Sequence, residues 1–197
     1  MVVFFDIDGT IVDNKSQIIP ESTCRAIEAL GRKGHLAVVN TGRPYAHIDP
    51  RVRAMPFGGF ICACGMELRL GDSWIFRKYP DQALRRYLLE AIRECGMQPM
   101  LEPDLPVIVL DGENSCHPLH QREAEQMRAK GFRIQNVSEF EELPFIKGIT
   151  YAASQAELAR CHGLRWKESV VATSIPLCFI SVSRASPYIR KDRIISL

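Results

Sequence analysis

The sequence has no apolar run long enough to span a membrane, which excludes a helical membrane protein. It also lacks a charge bias. Its 25 Lys and Arg stand against 23 Asp and Glu, a net charge of +2, so neither nucleic acid nor a membrane surface is an electrostatically favoured partner. A cysteine framework is missing too. The seven cysteines (Cys24, Cys62, Cys64, Cys95, Cys116, Cys161 and Cys178) are odd in number and irregularly spaced, and Cys62 and Cys64 have no second close pair to match them. That pattern suits reduced, scattered thiols better than disulfides or a zinc site. There are no internal repeats and no low-complexity tracts. The chain opens on an apolar segment with no basic leader and no cleavage site, so a cytoplasmic location is expected. At 197 residues, 46% hydrophobic and 24% charged, it is long and apolar enough for one large domain or two small ones with real cores.

What the sequence does contain is concentrated at its start. Val2-Val3-Phe4-Phe5 is a short β-branched and aromatic run, the signature of a buried strand. It ends in Asp6-Ile7-Asp8-Gly9-Thr10. Side chains two apart on a strand leave the same face, so Asp6 and Asp8 converge just past the strand end, where open α/β sheets bind ligands. Crowded carboxylates repel, and a divalent cation is the usual remedy. An ordinary Asp-Gly turn accounts for Asp8-Gly9 but does poorly on Asp6. A calcium loop of the EF-hand type needs Gly at its sixth position and Glu at its twelfth. Counted from Asp6, those positions hold Ile11 and Gln17, which excludes it.

Helical spacing of Ala26, Ile27 and Leu30, with Gly34 as a stop after Arg32-Lys33, predicts a helix over about residues 20–33. Leu36-Ala37-Val38-Val39 is the next strand, which makes a parallel strand–helix–strand unit. This strand also ends in a polar cluster, Asn40-Thr41-Gly42-Arg43-Pro44. Parallel neighbours share an edge, so Thr41 and Arg43 are expected near Asp6. Residues 57–70 read as a third strand and a hairpin turning at Gly65. Beyond about Trp74 the pattern changes: helices over 81–95, 118–130 and 154–162 alternate with strands over 106–111, 132–137, 147–152 and 170–182. This reads as an inserted α/β unit with a mainly antiparallel sheet.

With both strand-end clusters in view, the sequence resembles the haloacid dehalogenase-like (HAD) phosphohydrolases of the Cof type. Asp6-Ile7-Asp8-Gly9-Thr10-Ile11-Val12 is similar to the first motif of that family and Thr41-Gly42-Arg43-Pro44 to the second. Phe60-Ile61-Cys62-Ala63-Cys64-Gly65 resembles its strand followed by Asn-Gly, with Cys64 in the usual Asn place. The resemblance implies an α/β fold: a Rossmann-like parallel-sheet core over residues 1–76 and 182–197, and an inserted α/β cap of the C2B kind over residues 77–181. It implies Asp6 as nucleophile, Asp8 as acid and base, and Mg2+ held by Asp6 and Asp8. It also implies a phosphate site of Gly9, Thr10, Thr41, Gly42 and Arg43. A helix N-cap is the structural alternative for Thr41, and holding the loop is the alternative for Arg43. Lys191 stands where the family's third-motif lysine is expected. A surface lysine in a basic tail is its alternative, and Lys147 and Lys167 fall within the cap.

The family's fourth, acidic motif has no counterpart in the sequence, so the core is expected to be C-terminally incomplete and its first strand to be an apolar sheet edge, a liability for self-association. The expectation is a Mg2+-dependent phosphatase acting on a small phosphorylated metabolite such as a sugar phosphate, with homodimerisation through that edge. A phosphomutase or phosphonate-type hydrolase uses the same nucleophile. The rival of another class is a non-catalytic phosphate- or partner-binding protein. His117 and His120, on either side of Pro118, read as surface loop; Trp74 and Trp166 read as packing; and Arg85, Arg86 and Arg93 read as a solvated face.

Overall fold

The computed structural model describes residues 1–97, 99–110, 118–136, 144–152, 156 and 180–184. The expected helix at 154–162, most of the expected strand at 170–182, and Trp166, Lys167, His117 and Lys191 lie outside these residues. The chain divides into two compact units, Met1–Lys78 and Tyr79–Leu197. Among the described residues no helix is long and apolar enough to cross a membrane.

The first unit is built on a five-stranded sheet: β1 (Val2–Phe5), β2 (Leu36–Asn40), β3 (Gly59–Cys62), β4 (Glu67–Leu70) and β5 (Ser73–Arg77), in that spatial order. The first three strands run parallel, with Phe5 opposite Val39 and Val39 opposite Phe60. β3, β4 and β5 then form an antiparallel meander. Helix α1 (Glu21–Arg32) connects β1 to β2. Its N-terminal neighbour is Pro20, which has no N–H to leave unpaired. Its C-terminus closes with Gly34 at φ +73° and His35 N–H donating to Leu30 O at 3.0 Å, a left-handed stop that glycine adopts readily.

One face of this sheet carries the core. Ile27 of α1 and Val52 of the short helix α2 (Pro50–Arg53) pack with Ile7, Ile11, Val12, Ala37, Val39, Phe57, Phe60 and Cys62. Ala26, the third member of the expected helical stripe, is exposed, whereas Leu30 packs against the core. β1 lacks the burial that its apolar run predicts: Val2 and Phe4 are 48% and 57% exposed, and Val3 and Phe5 are half-buried.

The second unit holds a sheet in the order β10 (Ile180–Arg184), β9 (Phe145–Ala152), β6 (Pro99–Pro103), β7 (Val107–Leu110) and β8 (Arg133–Asn136), with helices α3 (Gln82–Glu94) and α4 (Pro118–Ala129). The sheet is mixed rather than mainly antiparallel: β10–β9 and β7–β8 are parallel, β9–β6 and β6–β7 antiparallel. Residues 182–184, grouped with the core by the sequence reading, pair with β9. Strand β6 was not expected at all. Its prolines sit where a strand tolerates them, at the first residue and next to a register shift after Glu102. Its buried Glu102 faces Lys147 across the β6–β9 pair at 3.3 Å. Met100, Ile108 and Leu110 pack with Ala124 and Met127 of α4.

Ile27 is fully buried in the first core. Ile27→Ala is therefore expected to cost about 3 kcal/mol, read as a lower midpoint in urea unfolding with an unchanged slope.

Candidate active site

The site is assembled at the C-terminal ends of β1 and β2. In register, Phe5 lies beside Val39, so the residues that follow, Asp6 on one strand and Asn40-Thr41 on the other, leave the sheet side by side. Parallel neighbours are about 4.8 Å apart. Asp6 and Asp8 are exposed while Ile7 between them is buried, the alternation expected of an extended chain. Beyond Asp8 the backbone curls back: Ile11 N–H and Val12 N–H donate to Ile7 O at 3.0 and 2.9 Å, and Gly9 N–H donates to Val12 O at 2.8 Å. The turn needs φ +81° at Gly9, a conformation glycine supplies without penalty. Thr10 is exposed on its outer side, and Ile11 and Val12 are anchored in the core.

An ion pair joins the two loops. Arg43 Nε donates to Asp8 Oδ2 at 2.9 Å and Nη2 to Oδ1 at 2.7 Å, a bidentate fork that fits a carboxylate. Arg43 thus links the loop after β2 to the loop after β1. The Asp6 side chain makes no hydrogen bond or ion pair with any described residue. Among the described residues no further His, Cys, Asp or Glu joins the pair as a group of three.

Thr41 is 5% exposed. Its Oγ1 accepts from the Arg43 N–H at 3.2 Å, a side-chain turn rather than a helix cap. Its backbone is tied to the neighbouring strand: Thr41 N–H donates to Ile61 O at 2.9 Å, Cys64 N–H to Thr41 O at 3.3 Å, and Ala63 N–H to Arg43 O at 2.8 Å. Gly42 is half-buried between them. Asp6, Asp8, Gly9, Thr10, Thr41, Gly42 and Arg43 thus all belong to two adjoining strand-end loops.

Three residues that bear on this site escaped the sequence reading as a group. Glu67 is fully buried; its Oε2 accepts from the Tyr45 N–H at 2.7 Å and its Oε1 from Arg77 Nε and Nη2 at 3.1 and 2.8 Å. The available signal is a charged residue between Met66 and Leu68 with an arginine ten positions later, and nothing in it points back to Tyr45. Burial pushes the neighbouring Cys62 thiol far up, with the negative charge of Glu67 adding to this and Arg77 opposing it. Cys62 is therefore a core residue and no nucleophile. In the loop that follows Val12, Ser16 N–H and hydroxyl and Lys15 N–H hold the Asp13 carboxyl below the usual carboxylate range. This ordering of the 13–18 loop is present above the unfolded pKa and lost as pH falls through the folded one.

The turn after β3 is strained. Ala63 and Cys64 both adopt positive φ, 49° and 55°, in a region that costs a side chain about 1–2 kcal/mol unless it is Gly, Asn or Asp. Cys64→Gly is expected to raise stability by about 1 kcal/mol, measured as a higher Tm with the Arg43–Asp8 contact retained.

Comparison with known proteins places the chain in a family and a fold. The sequence profile described as haloacid dehalogenase-like hydrolase matches residues 3–160. "Putative phosphatase YkrA" of Bacillus subtilis (strain 168) is 34% identical over 91 residues, 46% of this chain and 35% of that protein. Among solved structures, the phosphatase BT1666 from Bacteroides thetaiotaomicron superposes with a TM-score of 0.65 at 22% identity, over 80% of this chain and 58% of that one. The HAD subclass IIB sugar phosphatase BT4131 gives a TM-score of 0.62 at 22% identity, over 81% and 61%. At these identities the structural likeness is one of fold, and the chain spans less than two thirds of each of these relatives.

Proposed function

The chain belongs to the haloacid dehalogenase-like hydrolases, and on that premise we propose that it is a Mg2+-dependent phosphatase for a small, sugar-phosphate-like metabolite. The observation that carries the reading is the Arg43–Asp8 fork at 2.7 and 2.9 Å. It draws a cationic, phosphate-compatible side chain and two aspartates onto one sheet rim. The names of YkrA and of the two solved phosphatases agree with it.

In this reading Asp6, exposed and without a partner among the described residues, attacks phosphorus. A bond forms from its carboxylate oxygen to phosphorus as the bond to the alcohol oxygen breaks, giving an aspartyl-phosphate. Both Asp8 oxygens are held by Arg43 before substrate arrives. A phosphoryl dianion competes for that guanidinium, which hands Asp8 over to the leaving group. Released from Arg43, the Asp8 carboxylate takes up a proton from solvent and gives it to the departing alkoxide; the carboxylate this leaves then takes a proton from the water that attacks the aspartyl-phosphate, freeing inorganic phosphate and Asp6. Gly9, Thr10, Thr41 and Gly42 line the phosphate position, with the Thr41 hydroxyl as a donor. Lys191 is assigned the remaining cationic role.

The hard oxygens of Asp6 and the Asp8 backbone carbonyl suit Mg2+. When bound, the ion shields Asp6 from the incoming dianion and spreads the charge of the transition state. The second unit acts as the cap that selects the substrate, its extent taken through Arg184 because β10 pairs with β9. The exposed, apolar β1 edge supports pairing with a second copy.

The test is hydrolysis of p-nitrophenyl phosphate with Mg2+. Activity is expected in the parent chain, abolished by Asp6→Asn or by EDTA, restored by added Mg2+, and slowed roughly 100-fold or more by Asp8→Asn. Phosphate binding without any turnover in the parent refutes the enzyme and leaves the non-catalytic binding protein. For the edge, sedimentation should show a dimer that Phe4→Lys converts to monomer; a monomeric parent removes that part of the reading.

A further inference from the structure

Glu67 is an expensive residue for its place. It opens β4 immediately after the strained Ala63–Gly65 turn, its side chain is 0% exposed, and its neighbours Met66 and Cys62 are buried too. A buried carboxylate needs a cation and a full set of donors. Arg77 supplies the cation. It is the cross-strand partner of Glu67 in register on β5, it donates twice to Oε1, and its guanidinium is stacked over the Trp74 ring with 4.0 Å to the centroid. That stacking and the fork fix the carboxylate from one side and leave Oε2 facing the loop after β2.

The group that Oε2 receives is the Tyr45 N–H, at 2.7 Å. Tyr45 ends the run Thr41-Gly42-Arg43-Pro44-Tyr45, and Pro44 has no N–H to offer. The Tyr45 amide is therefore the first backbone donor after Arg43, and a buried, charged acceptor takes it. Upstream the loop is held by backbone bonds to β3 and its turn. Downstream, the Tyr45 ring is packed edge-on against Phe60 and Trp74 with Arg69 over it, and the bond to Oε2 is what fixes its backbone amide. A buried ion pair contributes little net stability over apolar residues of similar size. An apolar pair at 67 and 77 could fill the same space but could not accept the Tyr45 N–H.

We propose that Glu67, oriented by Arg77, is a positioning residue: its Oε2 pins the Thr41–Tyr45 loop so that the Arg43 guanidinium reaches Asp8. Its consequence for catalysis rests on the phosphatase reading; the geometry does not. The effect travels through one peptide, since Arg43 is separated from the pinned amide only by Pro44, whose φ is −56° and restricted by its ring.

The experiment compares the full-length parent, Glu67→Gln, and the double variant Glu67→Leu with Arg77→Met, which removes charge and acceptor together and keeps the volume. Backbone amide exchange at Tyr45 is followed by NMR, alongside thermal unfolding and p-nitrophenyl phosphate kinetics. The double variant should unfold no lower than the parent, yet exchange Tyr45 roughly 10- to 100-fold faster while Val38 and Val39 of β2 keep their protection. Its kcat should fall about tenfold or more with KM little changed. Glu67→Gln, which keeps an amide oxygen for Tyr45, should recover most of both losses. Unchanged Tyr45 exchange in the double variant, exchange that rises equally along β2, or no recovery with Gln would each overturn the proposal. A parent that hydrolyses no phosphate ester overturns the phosphatase reading instead, and the exchange data still decide the positioning role.

Discussion

Parallel pairing of β1 with β2, in the register that sets Phe5 beside Val39, is the constraint on which the site depends. Strand pairing is a period-two device: a slip by one residue would turn every side chain to the opposite face. In this register Val39 and Ala37 enter the core with Ile7, and Asp6 and Asp8 are left outside it. The same hydrogen bonds that bury the apolar residues therefore bring the two polar strand ends together. The Arg43–Asp8 fork adds specificity rather than much stability, because both side chains remain partly exposed and such pairs contribute little when water competes.

Around that register the first unit uses two kinds of fastening. Backbone bonds tie the Thr41 loop to β3, and the cost falls on the turn there, where Ala63 and Cys64 take a left-handed conformation. Side-chain bonds do what the backbone cannot: Glu67 reaches Tyr45 across 22 positions of sequence, and Arg43 reaches Asp8 across 35. Strain and buried charge both cluster within a few residues of the site, as is common where function requires a local geometry that folding alone does not favour.

Much of the fold could be read directly because its signals are local. The apolar run of β1, the helical spacing of Ile27 and Leu30, and the polar ends of β1 and β2 each lie within a dozen residues of chain. The left-handed position at Cys64 became visible only in the structure: where the sequence resembles a family pattern with Asn, the backbone has φ 55° and ψ 35°, a conformation Asn tolerates and Cys does not favour. Strand β6 was illegible for the opposite reason. Two prolines and a glutamate contradict a strand locally, and only the pairing of Glu102 with Lys147 and the register shift beside Pro103 make them acceptable. Strand direction in the second sheet was misjudged as mainly antiparallel because direction follows from how the chain returns, which composition does not encode.

The sequence by itself determined which residues are candidates for chemistry, since a carboxylate directly behind four apolar residues or a Thr-Gly-Arg at a strand end is visible without any contact map. It also determined part of the face of α1 that packs on the core, through the spacing of Ile27 and Leu30. Only the tertiary structure decided what those residues do to one another: that Arg43 grips Asp8, that the Thr41 hydroxyl accepts from its own loop, and that a buried glutamate pins the loop through Tyr45. The physical reason is range. Periodicity and capping are set by neighbours along the chain, whereas a hydrogen bond between distant residues exists only once the sheet has brought its partners within 3 Å.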